Sequence, residues 1–134
     1  MSRQHFLRLS LPKTYRLLTE IGIKEDYTMG YSNLVGFRAG TCTPFPFFDV
    51  LRNEETPIRV VPFQVMDRAL MQGLGLSPKE GVERTISLAR KVKEVGGTLV
   101  VVWHNETLSD ANEWSQWGNV FDEIVRNVKS LQQD

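Results

Sequence analysis

The alternation of apolar and polar positions divides the chain into short extended runs and amphipathic helical runs. The most continuous apolar stretch is Thr98–Glu106, TLVVVWHNE, which predicts a buried strand from Leu99 to Trp103 that delivers His104 and Asn105 to its carboxyl end. A run apolar on both faces suits a strand covered by helices on either side, and ligand groups in such folds gather at the carboxyl ends of strands. Ile58–Met66 is a second long apolar run, and it ends in Asp67. Gln4–Leu9 alternates, predicting a strand almost at the first residue; that placement suggests that something precedes it. Ile23–Gly30 carries Asp26, Thr28 and Met29 toward a turn at Gly30, and Val35–Thr43 reads as a short strand ending in Arg38. Pro44–Asp49, PFPFFD, is dense in proline and aromatics, cannot be regular helix, and is expected either as plain hydrophobic packing or as a lid or plug over one end of the sheet. Asn53–Pro57 reads as a polar turn.

Helical signals alternate with these strands. Pro12 suits a first helical turn, Tyr15, Leu18 and Ile21 fall on one face, and Gly22 is a natural stop. Ser77-Pro78-Lys79-Glu80 is a capping box with proline at the first helical position. Val82, Ile86, Ala89 and Val92 form the buried stripe of that helix, which Gly96-Gly97 ends. Trp117, Val120, Phe121, Ile124, Val125, Val128 and Leu131 repeat at helical spacing and predict a C-terminal helix, with Trp114 extending its apolar face or lining a pocket. Alternation of this kind predicts one α/β domain over residues 1–134 with a mainly parallel sheet. A closed (β/α) barrel needs about 250 residues, so the expectation is a partial (β/α) barrel.

Composition narrows the function classes. Sixteen basic and sixteen acidic residues balance to zero net charge, which is no electrostatic footprint for nucleic acid or an anionic membrane surface. No apolar run approaches the roughly 20 residues that span a bilayer, and the N-terminal MSRQHFLRLSLPK lacks the apolar core of a secretion signal, so a cytoplasmic location is expected. The single cysteine, Cys42, forms no intramolecular disulfide, and its flanks carry no feature that would activate a thiolate.

His104, Asp67 and Arg38 each sit where an apolar run gives out. If the strands are parallel neighbours, the three converge at one rim as a catalytic set or as a structural ion-pair network. A carboxylate beside an imidazole orients the ring and fixes its tautomer, and an arginine beside them holds a second carboxylate or an oxyanion. Metal binding has little support in the pattern: there is no HxxxH, HExxH or CxxC, and His5 and His104 are far apart. Gly73-Leu74-Gly75 precedes a helix but lacks the lysine and spacing of a phosphate loop.

Four stretches carry a resemblance: Arg3-Gln4-His5-Phe6-Leu7, Asp26-Tyr27-Thr28-Met29-Gly30-Tyr31, Gly36-Phe37-Arg38-Ala39-Gly40-Thr41 and Trp103-His104-Asn105-Glu106. With these in order along nearly the whole chain, the sequence resembles the C-terminal part of the polysaccharide deacetylase family, in a bacterial branch of it. The resemblance implies a distorted (β/α) barrel that removes acetyl groups from carbohydrate with zinc or another divalent metal. It implies that His104 is the general acid for the leaving amine, that Asp67 tunes His104, and that Arg38 pairs with a catalytic carboxylate. Val102 stands where the family has a leucine lining the acetyl pocket. The substrate-binding candidates are Tyr31, Trp103, Asn105, His5 and Arg3.

The departures are as informative. The family's base aspartate and its aspartate and two histidine metal ligands belong to upstream motifs with no counterpart in these 134 residues. The third motif reads Arg-Ala-Gly-Thr at Arg38–Thr41, and Met66-Asp67-Arg68 replaces the tryptophan-bearing fourth motif. Two expectations stay open. One is the acid side of a carbohydrate deacetylase, without a cofactor in this chain and inactive alone, that pairs with an upstream half or forms a homodimer across open strand edges. The other is a non-catalytic α/β module that binds carbohydrate through Tyr31, Trp103 and Trp114 or serves in interactions.

Overall fold

The computed structural model describes residues 1–109 and 111–132 and is a mixed α/β arrangement with two small sheets. Its main elements are α1 (Lys13–Glu20), β1 (Glu25–Asp26), β2 (Phe45–Asp49), β3 (Glu54–Val60), β4 (Val65–Met66), α2 (Pro78–Glu94), β5 (Val101–Val102) and α3 (Val120–Leu131). One sheet runs β1-β3-β2, with β1 parallel and β2 antiparallel to β3. The other pairs β4 with β5 in parallel, Val65 opposite Val101 and Met66 opposite Val102.

The helices follow their sequence signals closely. Ser77 caps α2: its hydroxyl accepts from the Glu80 N–H while the Glu80 carboxylate accepts from the Ser77 N–H at 2.8 Å. Val82, Ile86, Ala89 and Val92 are buried as their spacing requires. The faces of α2 and α3 close over one core with Val65, Leu70, Trp114, Trp117, Val120 and Ile124. Trp117 joins this core from the turn ahead of α3 rather than from the helix itself. On α1, Tyr15 and Leu18 are buried against Ile58 and Val60 of β3, but Ile21 lies past the helix end and is 73% exposed.

The strands depart further from the pattern. Gln4–Leu9 is not a strand: only Ser2 bridges Asp26 in parallel, and His5–Leu7 form a 3-10 turn. The Thr28 hydroxyl takes the Gln4 N–H at 2.9 Å, which removes a ladder donor where pairing would continue. Val35–Thr43 is also irregular, because Gly36 and Gly40 adopt φ of 128° and 70°, outside the extended region. Pro44–Asp49, expected as a plug, is instead the edge strand β2, where Phe47 packs 4.7 Å from the Tyr15 ring and exposed Pro46 costs no inner hydrogen bond. The chain reverses before Glu54, with Asn53 at φ 52°, so Glu54–Pro57 belongs to β3 and not to a polar turn.

The long run Ile58–Met66 is split. Pro62 has no N–H to give to a ladder, and residues 61–64 cross between the sheets. Gln64, only 1% exposed, joins them. Its N–H donates to the Val100 carbonyl at 3.0 Å, its side-chain oxygen accepts from the Val100 N–H at 2.8 Å, and its carbonyl accepts from Gly36. The strand expected over Leu99–Trp103 contracts accordingly to Val101–Val102.

Arg16 of α1 grips Asp49 at the end of β2 through two bonds, Nε to Oδ2 at 2.5 Å and Nη2 to Oδ1 at 2.9 Å. The Asp49 side chain is fully covered and also accepts from the Leu51 and Arg52 N–H groups. The Arg16 hydrogen bond, aided by those backbone donors, holds the Asp49 carboxyl below its ordinary 3.8. A carboxyl whose folded value is lowered stabilises the fold above its unfolded value and loses that contribution as pH falls through the folded one. The thermal midpoint should therefore fall as pH drops below about 4. Asp49→Asn should flatten that acid limb; an unchanged slope between the two proteins would show that the Arg16–Asp49 link carries none of it.

Candidate functional site

Asp67 leaves the end of β4 and is completely buried. A carboxylate in that position must be satisfied by donors, and four converge on it. Oδ1 accepts from the Arg68 N–H at 2.8 Å and from His104 Nδ1 at 2.6 Å. Oδ2 accepts from the His104 N–H at 2.7 Å and from the Thr107 hydroxyl at 2.5 Å. Each oxygen thus already holds a backbone N–H, and a carboxylate in that setting accepts from an Nδ1–H, which orients the ring. Nε2 is left free, and the His104 side chain is 38% exposed. Two strand ends and the 3-10 turn Thr107–Ser109 meet at this one group.

His104 opens onto a cavity of about 870 Å³. Its walls come from the N-terminal turn Arg3–Leu7, from Ser32 and Asn33, from Met66, Arg68, Gln72 and Gly73, and from Val102, Asn105 and Glu106. Gly73 is required by close approach: a Cβ there would meet the Asn33 carbonyl oxygen at 2.3 Å. Arg68 and Glu106 form an ion pair across the rim, and the Arg68 guanidinium lies 5.9 Å from the Trp114 ring centroid. Arg3 stands on the wall with no hydrogen-bond or ion-pair partner among the described residues.

The structure therefore unites Asp67 and His104 but gives Arg38 a different setting. Arg38 donates to the Gly30 carbonyl at 3.0 Å and bonds neither Asp67 nor His104. Its field reaches Tyr15, which adjoins a second buried aspartate at a strand end, Asp26. Asp26 accepts from the Thr28 hydroxyl at 2.9 Å, the Thr28 N–H at 3.0 Å and the Ser2 hydroxyl at 3.0 Å. Burial above all, with the Asp26 charge beside it, pushes the Tyr15 hydroxyl far above its usual range.

Of the substrate-binding candidates, Arg3, His5 and Asn105 line the cavity. Tyr31 and Trp103 do not; Trp103 turns to Phe121, with ring centroids 5.5 Å apart. Trp114 is buried in the α2–α3 core rather than at a rim. Thr107 is the partner that sequence reasoning passed over. A threonine three residues past a histidine is an ordinary surface pattern until Asp67 is placed beneath it.

Among the described residues no three histidine, cysteine, aspartate or glutamate side chains gather as a metal site. The donor sets present do not fit the divalent metal that the resemblance implies, since the buried aspartates Asp26, Asp49 and Asp67 all spend their oxygens on protein donors. No helix among the described residues is long and apolar enough to cross a membrane.

Removing the Thr107 hydroxyl should leave a buried carboxylate one donor short, at about 1–3 kcal/mol. Thr107→Val is expected to lower the urea midpoint by a corresponding amount without changing the slope, and nitrogen-15 shifts of wild-type His104 should report a proton on Nδ1. An Nδ1 without a proton would contradict the Asp67–His104 geometry.

Comparison with known proteins finds no matching family model, no matching curated protein and no matching solved structure.

Proposed function

We propose that this chain is the acid side of a carbohydrate deacetylase-like site, the C-terminal part of a partial (β/α) barrel. The observation that carries the reading is the Asp67–His104 dyad, at the ends of two parallel strands, with Nε2 free at a cavity large enough for a sugar. Asp67 accepts from Nδ1–H and favours the doubly protonated ring, whose second proton, on Nε2, points into that cavity. As the acetyl C–N or C–O bond breaks, His104 gives this proton to the departing nitrogen or oxygen of the sugar. Val102, 3% exposed, forms an apolar wall beside it for the acetyl methyl. Arg38 then contributes through the Gly30 turn and the Asp26 cluster, not by touching His104.

The groups that activate water lie outside this set, in an upstream half or another chain. Edges β2 and β5 each pair on one side only, leaving backbone for such a partner or for a second copy of this chain. The alternative is a carbohydrate-binding or interaction module without turnover.

The test starts from the genomic DNA upstream of the Met1 codon, to obtain the complete product, followed by acetate release from N-acetylglucosamine oligomers. His104→Gln should lower the rate by about 10²–10⁴-fold, the usual worth of a positioned acid, and Asp67→Asn should follow it. Acetate release that ignores His104 would overturn the reading; saccharide binding without acetate release would favour the non-catalytic module.

A further inference from the structure

Phe6 has no role in the core. It is 76% exposed, yet it sits at φ 55° and is followed by Leu7 at φ 53°, a pair of non-glycine residues in the left-handed region. That region is unfavourable for residues with a Cβ, and bulky side chains are found there when the surroundings impose it. The surroundings are visible: Gln4 is anchored to Thr28 and Ser2, the Leu7 N–H returns to the Gln4 carbonyl at 3.0 Å, and Leu7 packs against the Phe63–Val102 cluster. The turn is pinned on both sides and lifts the intervening ring out of the protein. Phe6 is nevertheless ordered by neighbours, with the His5 ring edge-on at 4.2 Å and the Arg8 guanidinium 5.7 Å from its centroid. It also stands on the wall of the cavity that His104 opens onto.

We propose that Phe6 is a stacking platform for one pyranose ring of a saccharide bound in the His104 cavity. A pyranose has an apolar C–H face, whose slightly positive hydrogens are attracted to the negative face of an aromatic ring. Its hydroxyl rim needs donors and acceptors, and Arg3, Asn33 and Asn105 bring them to the same cavity. One braced aromatic ring surrounded by amide and guanidinium groups suits a polyhydroxylated ring better than a wholly apolar ligand. The inference rests on the carbohydrate reading above and assigns its substrate contact to the N-terminal turn.

The test is saturation-transfer and titration NMR of the 134-residue chain with the N-acetylglucosamine tetramer. Phe6→Asn removes the ring while suiting the left-handed backbone, so its fold should be kept, as a thermal melt will verify. Phe6→Asn should weaken binding about tenfold, while Phe6→Trp retains it and shows saturation transfer to the C–H protons of one sugar face. Unchanged affinity in Phe6→Asn overturns the platform alone, provided that acetate release from the complete product still depends on His104. Absence of tetramer binding to the wild-type chain, or preferential binding of adenosine through Phe6, overturns the saccharide assignment.

Discussion

A fully buried carboxylate tolerates few arrangements around it, and Asp67 imposes its requirement on three segments at once. The first residue after it, the backbone and ring of His104, and the Thr107 hydroxyl all turn inward to it. The consequence is geometric. The end of β5 cannot slide along β4 without breaking the His104 N–H bond, and the imidazole cannot rotate without losing its Nδ1 contact. A strand pair only two residues long on each side is held in register by a side chain beyond its end.

The same device recurs at β1, where Asp26 gathers Thr28 and Ser2. In both places a strand too short to carry much ladder is closed by an aspartate and a threonine. Gln64 performs the analogous service between the sheets, exchanging two hydrogen bonds with Val100 where Pro62 has interrupted the run. Polar side chains thus replace backbone pairing at the points where the strands stop, and at the β4–β5 end Met66, Val102 and His104 line the cavity. The α2–α3 core packs on Val65 of β4 and Val101 of β5, behind the Asp67–His104 end.

The legible parts of this fold were those whose signal is local. The Ser77–Glu80 box and the stripe Val82, Ile86, Ala89, Val92 depend on residues within a few positions of one another, and both were formed as read. Strand limits were poorly legible. Ile58–Met66 looks continuous because an apolar run records burial and not pairing, and Pro62 marked the break only once a partner strand was known. Pro44–Asp49 looked irregular for its prolines, yet an edge strand has one side on which a missing N–H costs nothing. Within the candidate site, Asp67 and His104 were legible because each ends an apolar run. Arg38 shared that feature and went elsewhere, since chain position does not specify which neighbour a long side chain reaches.

By itself the sequence determined the α/β alternation, the helices and their buried faces, and the two polar residues that follow the apolar runs of β4 and β5, because periodicity and capping act over a few residues. Tertiary structure alone decided that Thr107 completes the Asp67 shell, that Trp103 faces Phe121 and not the cavity, and that Phe6 is left in solvent. Each of these depends on contacts between segments distant in the chain, and no local pattern encodes which distant donor a buried carboxylate will recruit.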